Sequence, residues 1–82
     1  MAHPTGRQIA AARALADLSQ SDLAASAKIS VPTLKRMEAS PGPAPGMANN
    51  LAAVVRALEA AGIIFIEENG EGPGVRLRKE RT

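Results

Sequence analysis

Apolar positions repeat at helical spacing through roughly the first sixty residues and then change period. Ile9, Ala12 and Ala16 recur at three- and four-residue intervals, with Arg13 on the same face. That spacing predicts a first helix opening at Thr5 or Gly6 and running to about Asp17, and its alanine content favours helix further. Leu23 with Ala24, and Leu34 with Met37, predict two shorter helices at about 20–26 and 31–39. Between residues 40 and 46 (SPGPAPG) three prolines remove donors and clash with a preceding turn, so the chain must leave the helix. A wing-like loop of restricted backbone is expected there, suited to lie along a phosphate backbone. Leu51, Val54, Val55 and Leu58 form the core stripe of a fourth helix, about 47–61, and Gly62 is its stop. Beyond it, Ile63-Ile-Phe-Ile66 is β-branched and aromatic and predicts a strand. Residues 67–74 (EENGEGPG) read as a turn or loop, and residues 75–78 alternate as a second strand. Residues 1–4 read as a frayed start.

The two short helices carry their own punctuation. Ser19 is placed to cap the first, with Asp22 three residues on as the acid of a capping box. Ala24 is small, as a close helix crossing requires, and Ile29 plugs the turn. Ser30 caps the next helix, and Pro32 falls in its first turn, where a missing N–H costs nothing. With Leu34 and Met37 anchored inward, Val31, Thr33, Lys35 and Arg36 are left pointing outward. A short helix of that kind fits a DNA major groove.

Residues 18–38 (LSQSDLAASAKISVPTLKRME) resemble the Xre/Cro-like phage-repressor family of helix-turn-helix regulators. The resemblance covers roughly residues 5–60 and is carried by Leu18-Ser-Gln20, Leu23-Ala24, Ile29-Ser30, Leu34 and Glu38. Arg13 and Glu38 match positions where many members hold a partly buried ion pair. The fold implied is mainly α: a four-helix lambda-repressor-like helix-turn-helix domain over residues 1–62. A C-terminal β-strand or hairpin with a basic tail, residues 63–82, follows as a dimerisation extension. Members usually place a fifth helix where this chain has strands.

The resemblance also implies roles. Ser30 and Val31 match positions that commonly approach bases, and Val31 can offer a thymine methyl only apolar contact. Pro32 excludes the adenine reading by glutamine seen in some relatives. Thr33 suits a base or a phosphate. Arg36 is the candidate for a guanine edge, with a phosphate clamp as the alternative, because most protein–DNA hydrogen bonds go to the backbone. Gln20 matches a phosphate-contacting position, and Lys35 is expected on phosphate. Lys28 stands where the family usually has glycine, at a turn position favouring φ > 0. A lysine there costs about 1 kcal/mol, which a phosphate contact would offset.

Composition limits the other readings. Eighty-two residues allow one small domain with a thin core. There is no cysteine, so no disulfide framework and no thiolate metal site; His3 has no second histidine to join it. No metal or cofactor is expected. No acidic residues pair recognisably for acid/base work, and a serine nucleophile would lack a histidine beside it, so the chain does not read as an enzyme. No apolar run approaches membrane-spanning length and no secretory pattern opens the chain, so a cytoplasmic protein without a membrane partner is expected. Net charge is only +2, but Lys28, Lys35 and Arg36 gather on one side of the motif.

The apolar run Ile63, Ile64, Phe65, Ile66 needs cover on both faces of a strand, while the helices can cover one. A homodimer through these four residues supplies the second cover; a hairpin folded flat on its own domain is the alternative. Arg76, Arg78, Lys79 and Arg81 read either as a solvated tail or as added affinity for the DNA backbone, and the neighbouring glutamates favour the former. The leading functional expectation is therefore a sequence-specific transcriptional regulator, a dimer on palindromic double-stranded DNA. The alternatives are a protein-interaction adaptor or antiactivator, whose partner is a regulatory protein, and the DNA-binding antitoxin of a toxin–antitoxin pair.

Overall fold

The computed structural model describes residues 3–79. Four helices are followed by one antiparallel hairpin: α1 (Gly6–Leu15), α2 (Gln20–Ala27), α3 (Val31–Glu38), α4 (Ala48–Ala60), β1 (Ile63–Ile66) and β2 (Gly74–Leu77). Ile9, Ala12, Leu23, Leu34, Met37, Leu51, Val54 and Leu58 make one buried cluster, to which all four helices contribute their expected inner faces. Ala44, from the proline-rich loop, joins it. No helix among the described residues is long and apolar enough to cross a membrane.

Local chemistry sets the boundaries. Thr5 and Gln8 form a reciprocal capping box on α1: Gln8 N–H donates to Thr5 Oγ1 at 3.0 Å, and Thr5 N–H donates to Gln8 Oε1 at 2.8 Å. The helix ends at Leu15, two residues short of the expected limit, because Asp17 takes a left-handed backbone (φ 58°) that no helix continues. Gly6 starts α1 hard against the end of α3: a Cβ there would sit on the carbonyl oxygens of Met37 and Ser40. Only glycine allows that approach.

Residues expected to fray are held. Pro4 is buried, its carbonyl accepts from Ala44 N–H at 3.0 Å, and Gly6 N–H donates to Gly42 O at 3.1 Å. Thr5 and Pro43 form an isolated antiparallel bridge, and His3 Nε2 lies 2.8 Å from Ala44 O. The proline-rich loop is thus stitched to the chain start across residues 42–44, so the wing-like loop expected there is tied down at its middle. Residues 1 and 2 of the expected frayed start, and Arg81 of the basic tail, lie outside the described residues.

The hairpin pairs Ile63 with Leu77, Ile64 with Arg76, Phe65 with Val75 and Ile66 with Gly74. Alternation decides which residues turn inward. Ile63 is only 1% exposed within the domain's own core, and Phe65 and Val75 pack against that core. Ile64 stays 38% exposed on the outer face and Ile66 is half-buried. This corrects the four-residue dimer surface expected from sequence: Ile63 is taken by the chain's own core, and the hairpin folds back on its own helices. One buried polar side chain locks it there. Gln8, 8% exposed, donates through Nε2 to Gly74 O at 3.1 Å and to Ile66 O at 3.4 Å.

Candidate nucleic-acid interface

The segment from Ser19 to Glu38 is built from caps inward. Ser19 Oγ accepts from Asp22 N–H at 3.0 Å and Asp22 Oδ2 accepts from Ser19 N–H at 3.1 Å, closing the capping box of α2. The Ser19 backbone N–H first, and then the Ser19 hydroxyl, hold the Asp22 carboxyl below its ordinary pKa. At the other end Lys28 adopts φ 59°, ψ 44°. Its N–H reaches Ala25 O at 3.2 Å, and Ile29 N–H reaches Ala24 O at 3.0 Å. That is the left-handed helix stop normally given to glycine, here built with lysine. Ile29 then packs against the core and fixes the turn.

Ser30 caps α3 by accepting from Thr33 N–H at 3.2 Å, and Pro32 sits in the first turn. Leu34 and Met37 are fully buried, which fixes how α3 is rolled about its axis. Lys35 and Arg36 consequently face solvent, as does Ser30. Thr33 is half-buried: its hydroxyl lies 2.8 Å from Ser30 Oγ and accepts from Arg36 Nη2 at 3.4 Å. Ser30, Thr33 and Arg36 therefore form one polar line along the exposed side of α3. An arginine has five donors, and one bond from Nη2 still leaves a parallel pair free for a planar acceptor edge.

Two expected contact residues sit differently. Val31 is half-buried and packs against the core cluster, because it follows the turn plug Ile29 closely; it is not a free apolar tip. Gln20 is also half-buried, and its Nε2 donates to Glu38 Oε1 at 3.1 Å. An amide nitrogen carries two hydrogens, so this bond leaves one for a phosphate.

Behind the exposed line lies the ion pair. Arg13 Nε donates to Glu38 Oε2 at 2.9 Å and Nη2 donates to Glu38 Oε1 at 3.1 Å, a fork on a carboxylate only 7% exposed. Arg13 Nη1 also donates to Leu18 O at 3.0 Å, tying the α1–α2 connection to the same point. Glu38 is thereby neutralised internally. Lys28, Lys35 and Arg36 have no acidic partner among the described residues, and the outer side of the segment carries uncompensated positive charge. No group of three or more histidine, cysteine or acidic side chains suited to a metal occurs among the described residues.

The sequence reading missed Gln8 and Asp17. Gln8 had a usable signal in the spacing Thr5-x-x-Gln8; Asp17 had none beyond aspartate's tolerance of left-handed backbone. No protein-family model matches the chain, and no curated protein matches it in sequence.

Proposed function

We propose that the protein is a sequence-specific, DNA-binding transcriptional regulator of the helix-turn-helix type, with α3 as the helix that enters the major groove. One observation carries this reading. An eight-residue helix is rolled and clamped by Leu34, Met37 and the Glu38–Arg13 fork, while Ser30, Thr33, Lys35 and Arg36 form its outward line. A helix serving only the core has no use for an unpaired cationic face. In this reading Arg36 takes a guanine edge, Lys35 and Lys28 take phosphates, and Gln20 contributes its remaining N–H to the backbone. Two coupled copies would read a roughly palindromic site in successive major grooves, about 34 Å apart.

The test is selection of bound fragments from random duplex DNA, followed by fluorescence anisotropy on the enriched and scrambled sites. An enriched motif with affinity falling steeply in salt is the expected result. Failure to enrich any sequence, with no salt-dependent binding, refutes the proposal.

A further inference from the structure

Arg36 is exposed, yet its guanidinium is already held from within α3. Its Nη2 donates to Thr33 Oγ1 at 3.4 Å, one turn back on the same side of the helix. That acceptor is itself fixed. Thr33 is β-branched, its backbone N–H donates to Ser30 Oγ at 3.2 Å, and its hydroxyl lies 2.8 Å from the same oxygen. A guanidinium presents two parallel N–H pairs, Nε with Nη2 and Nη1 with Nη2. The bond from Nη2 spends a hydrogen of one pair and leaves the other complete, in a plane that Thr33 sets.

The two hydroxyls carry two hydrogens, of which one lies between them and one is free. The Arg36 charge drawing on Thr33 Oγ1 makes that hydroxyl the better donor and the poorer acceptor. Thr33 therefore donates to Ser30. Ser30 Oγ then accepts twice, from Thr33 N–H and from Thr33 O–H, and its own hydrogen is left facing solvent. We infer that Thr33 is a positioning residue: it holds the Arg36 fork toward a guanine edge and makes Ser30 a donor, so that α3 reads hydrogen-bond acceptors. The assignment rests on the DNA-binding reading and deepens it. Guanine O6 and N7 match the remaining Arg36 pair, whereas the amino groups of adenine and cytosine find no acceptor at either end of the line. A phosphate also accepts a fork, but it carries no base identity to lose when the fork swings free.

The test compares the full chain with Thr33→Val, Thr33→Ser, Arg36→Ala and the double variant Thr33→Val with Arg36→Ala. Fluorescence anisotropy reads Kd on the selected site, on its single-base variants, on the site carrying 7-deazaguanine, and on random duplex. Discrimination is the ratio of Kd on a single-base variant to Kd on the selected site. Thr33→Val is expected to lower it about fivefold at the Arg36 base pair, the scale of one charge-assisted hydrogen bond. Affinity for random duplex and its salt dependence are expected to stay unchanged, because the Arg36 charge remains. Thr33→Ser restores the hydroxyl and is expected to return within about twofold of the wild type. In the Arg36→Ala background, Thr33→Val is expected to change nothing further. Replacing the guanine by 7-deazaguanine, which lacks the N7 acceptor, is expected to weaken the wild type about fivefold. Without DNA, NMR relaxation of Arg36 Nε is expected to report greater mobility in Thr33→Val than in the wild type. Circular dichroism checks that each variant is folded. A wild type that selects no sequence refutes the DNA-binding reading and this assignment with it. Where the wild type does select a site, the assignment alone is overturned by any of five results: Thr33→Val weakening specific and random DNA alike or neither, effects additive with Arg36→Ala, no recovery in Thr33→Ser, indifference to 7-deazaguanine, or equal Arg36 mobility in the two proteins.

Discussion

Replacing Glu38 by glutamine tests the joint that holds α3 to α1. The carboxylate accepts three bonds, two from Arg13 and one from Gln20, with only 7% of the side chain exposed. Glutamine keeps the shape but offers one acceptor oxygen, and its amide hydrogens face donors. Stripping one partner from a buried pair costs about 3–5 kcal/mol. Arg13 is 23% exposed and keeps its bond to Leu18 O, so water and backbone recover part of that loss. We therefore expect about 2–3 kcal/mol for Glu38→Gln, discounting for that exposure. In a domain of this size each kcal/mol moves Tm by about 4–8 °C, so the midpoint should fall by roughly 8–24 °C. The assay is thermal unfolding by circular dichroism at constant pH and salt, in a double-mutant cycle with Arg13→Met. Replacing both charges, Arg13→Met with Glu38→Gln, should cost less than the sum of the two single changes, because no buried charge is then stranded. An unchanged Tm for Glu38→Gln, or strictly additive single effects, would refute the reasoning.

Three further substitutions probe the same segment. Arg36→Ala should weaken binding to the selected DNA site by about 1–3 kcal/mol and relax preference at one base pair, measured by anisotropy on single-base variants; equal weakening on specific and random DNA would reduce Arg36 to a phosphate contact. Lys28→Gly should stabilise the fold by about 1 kcal/mol, since glycine takes the left-handed stop freely, while weakening DNA binding and making it less sensitive to salt by about one phosphate contact; no gain in urea unfolding would show that lysine is unstrained there. For Asp22, a depressed folded-state pKa means that the ionised form is favoured by folding. Its contribution is present above the unfolded carboxylate pKa and is lost as pH falls through the lower folded value. Asp22→Asn should accordingly destabilise at neutral pH and flatten that part of the acid unfolding curve; identical acid profiles would count against the capping box.

Caps and stops were legible in the sequence because their chemistry is local. Ser19 with Asp22, Ser30 with Pro32, and Gly62 each announce a boundary within four residues, and α2, α3 and α4 end within a residue or two of where those signals put them. The left-handed stop at Lys28 was legible for the same reason, although the residue itself disfavours it. Long-range choices were not. Period-two alternation says that a strand has two faces but not which one meets the helices, so Ile63 could not be separated from Ile64. Val31 looked outward by helical phase, yet a residue at the first helical position also borders the turn and packs there. Gln20 and Gln8 are polar residues whose partners lie 18 and 58 or more residues away. Nothing in their neighbours names those partners.

The buried amide of Gln8 has a consequence for how the protein opens. It closes the first turn of α1 and, with the same side chain, holds the last rung of the hairpin, so it couples residue 5 to residues 66 and 74. These contacts span most of the chain, whereas the α2–α3 segment closes over short loops. Breathing motions should follow that division. The hairpin and the start of α1 would exchange their amide hydrogens together, as one cooperative unit drawn from opposite ends of the chain. The α2–turn–α3 segment would keep its protection until global unfolding. The protein could then loosen its termini while leaving the orientation of α3 undisturbed.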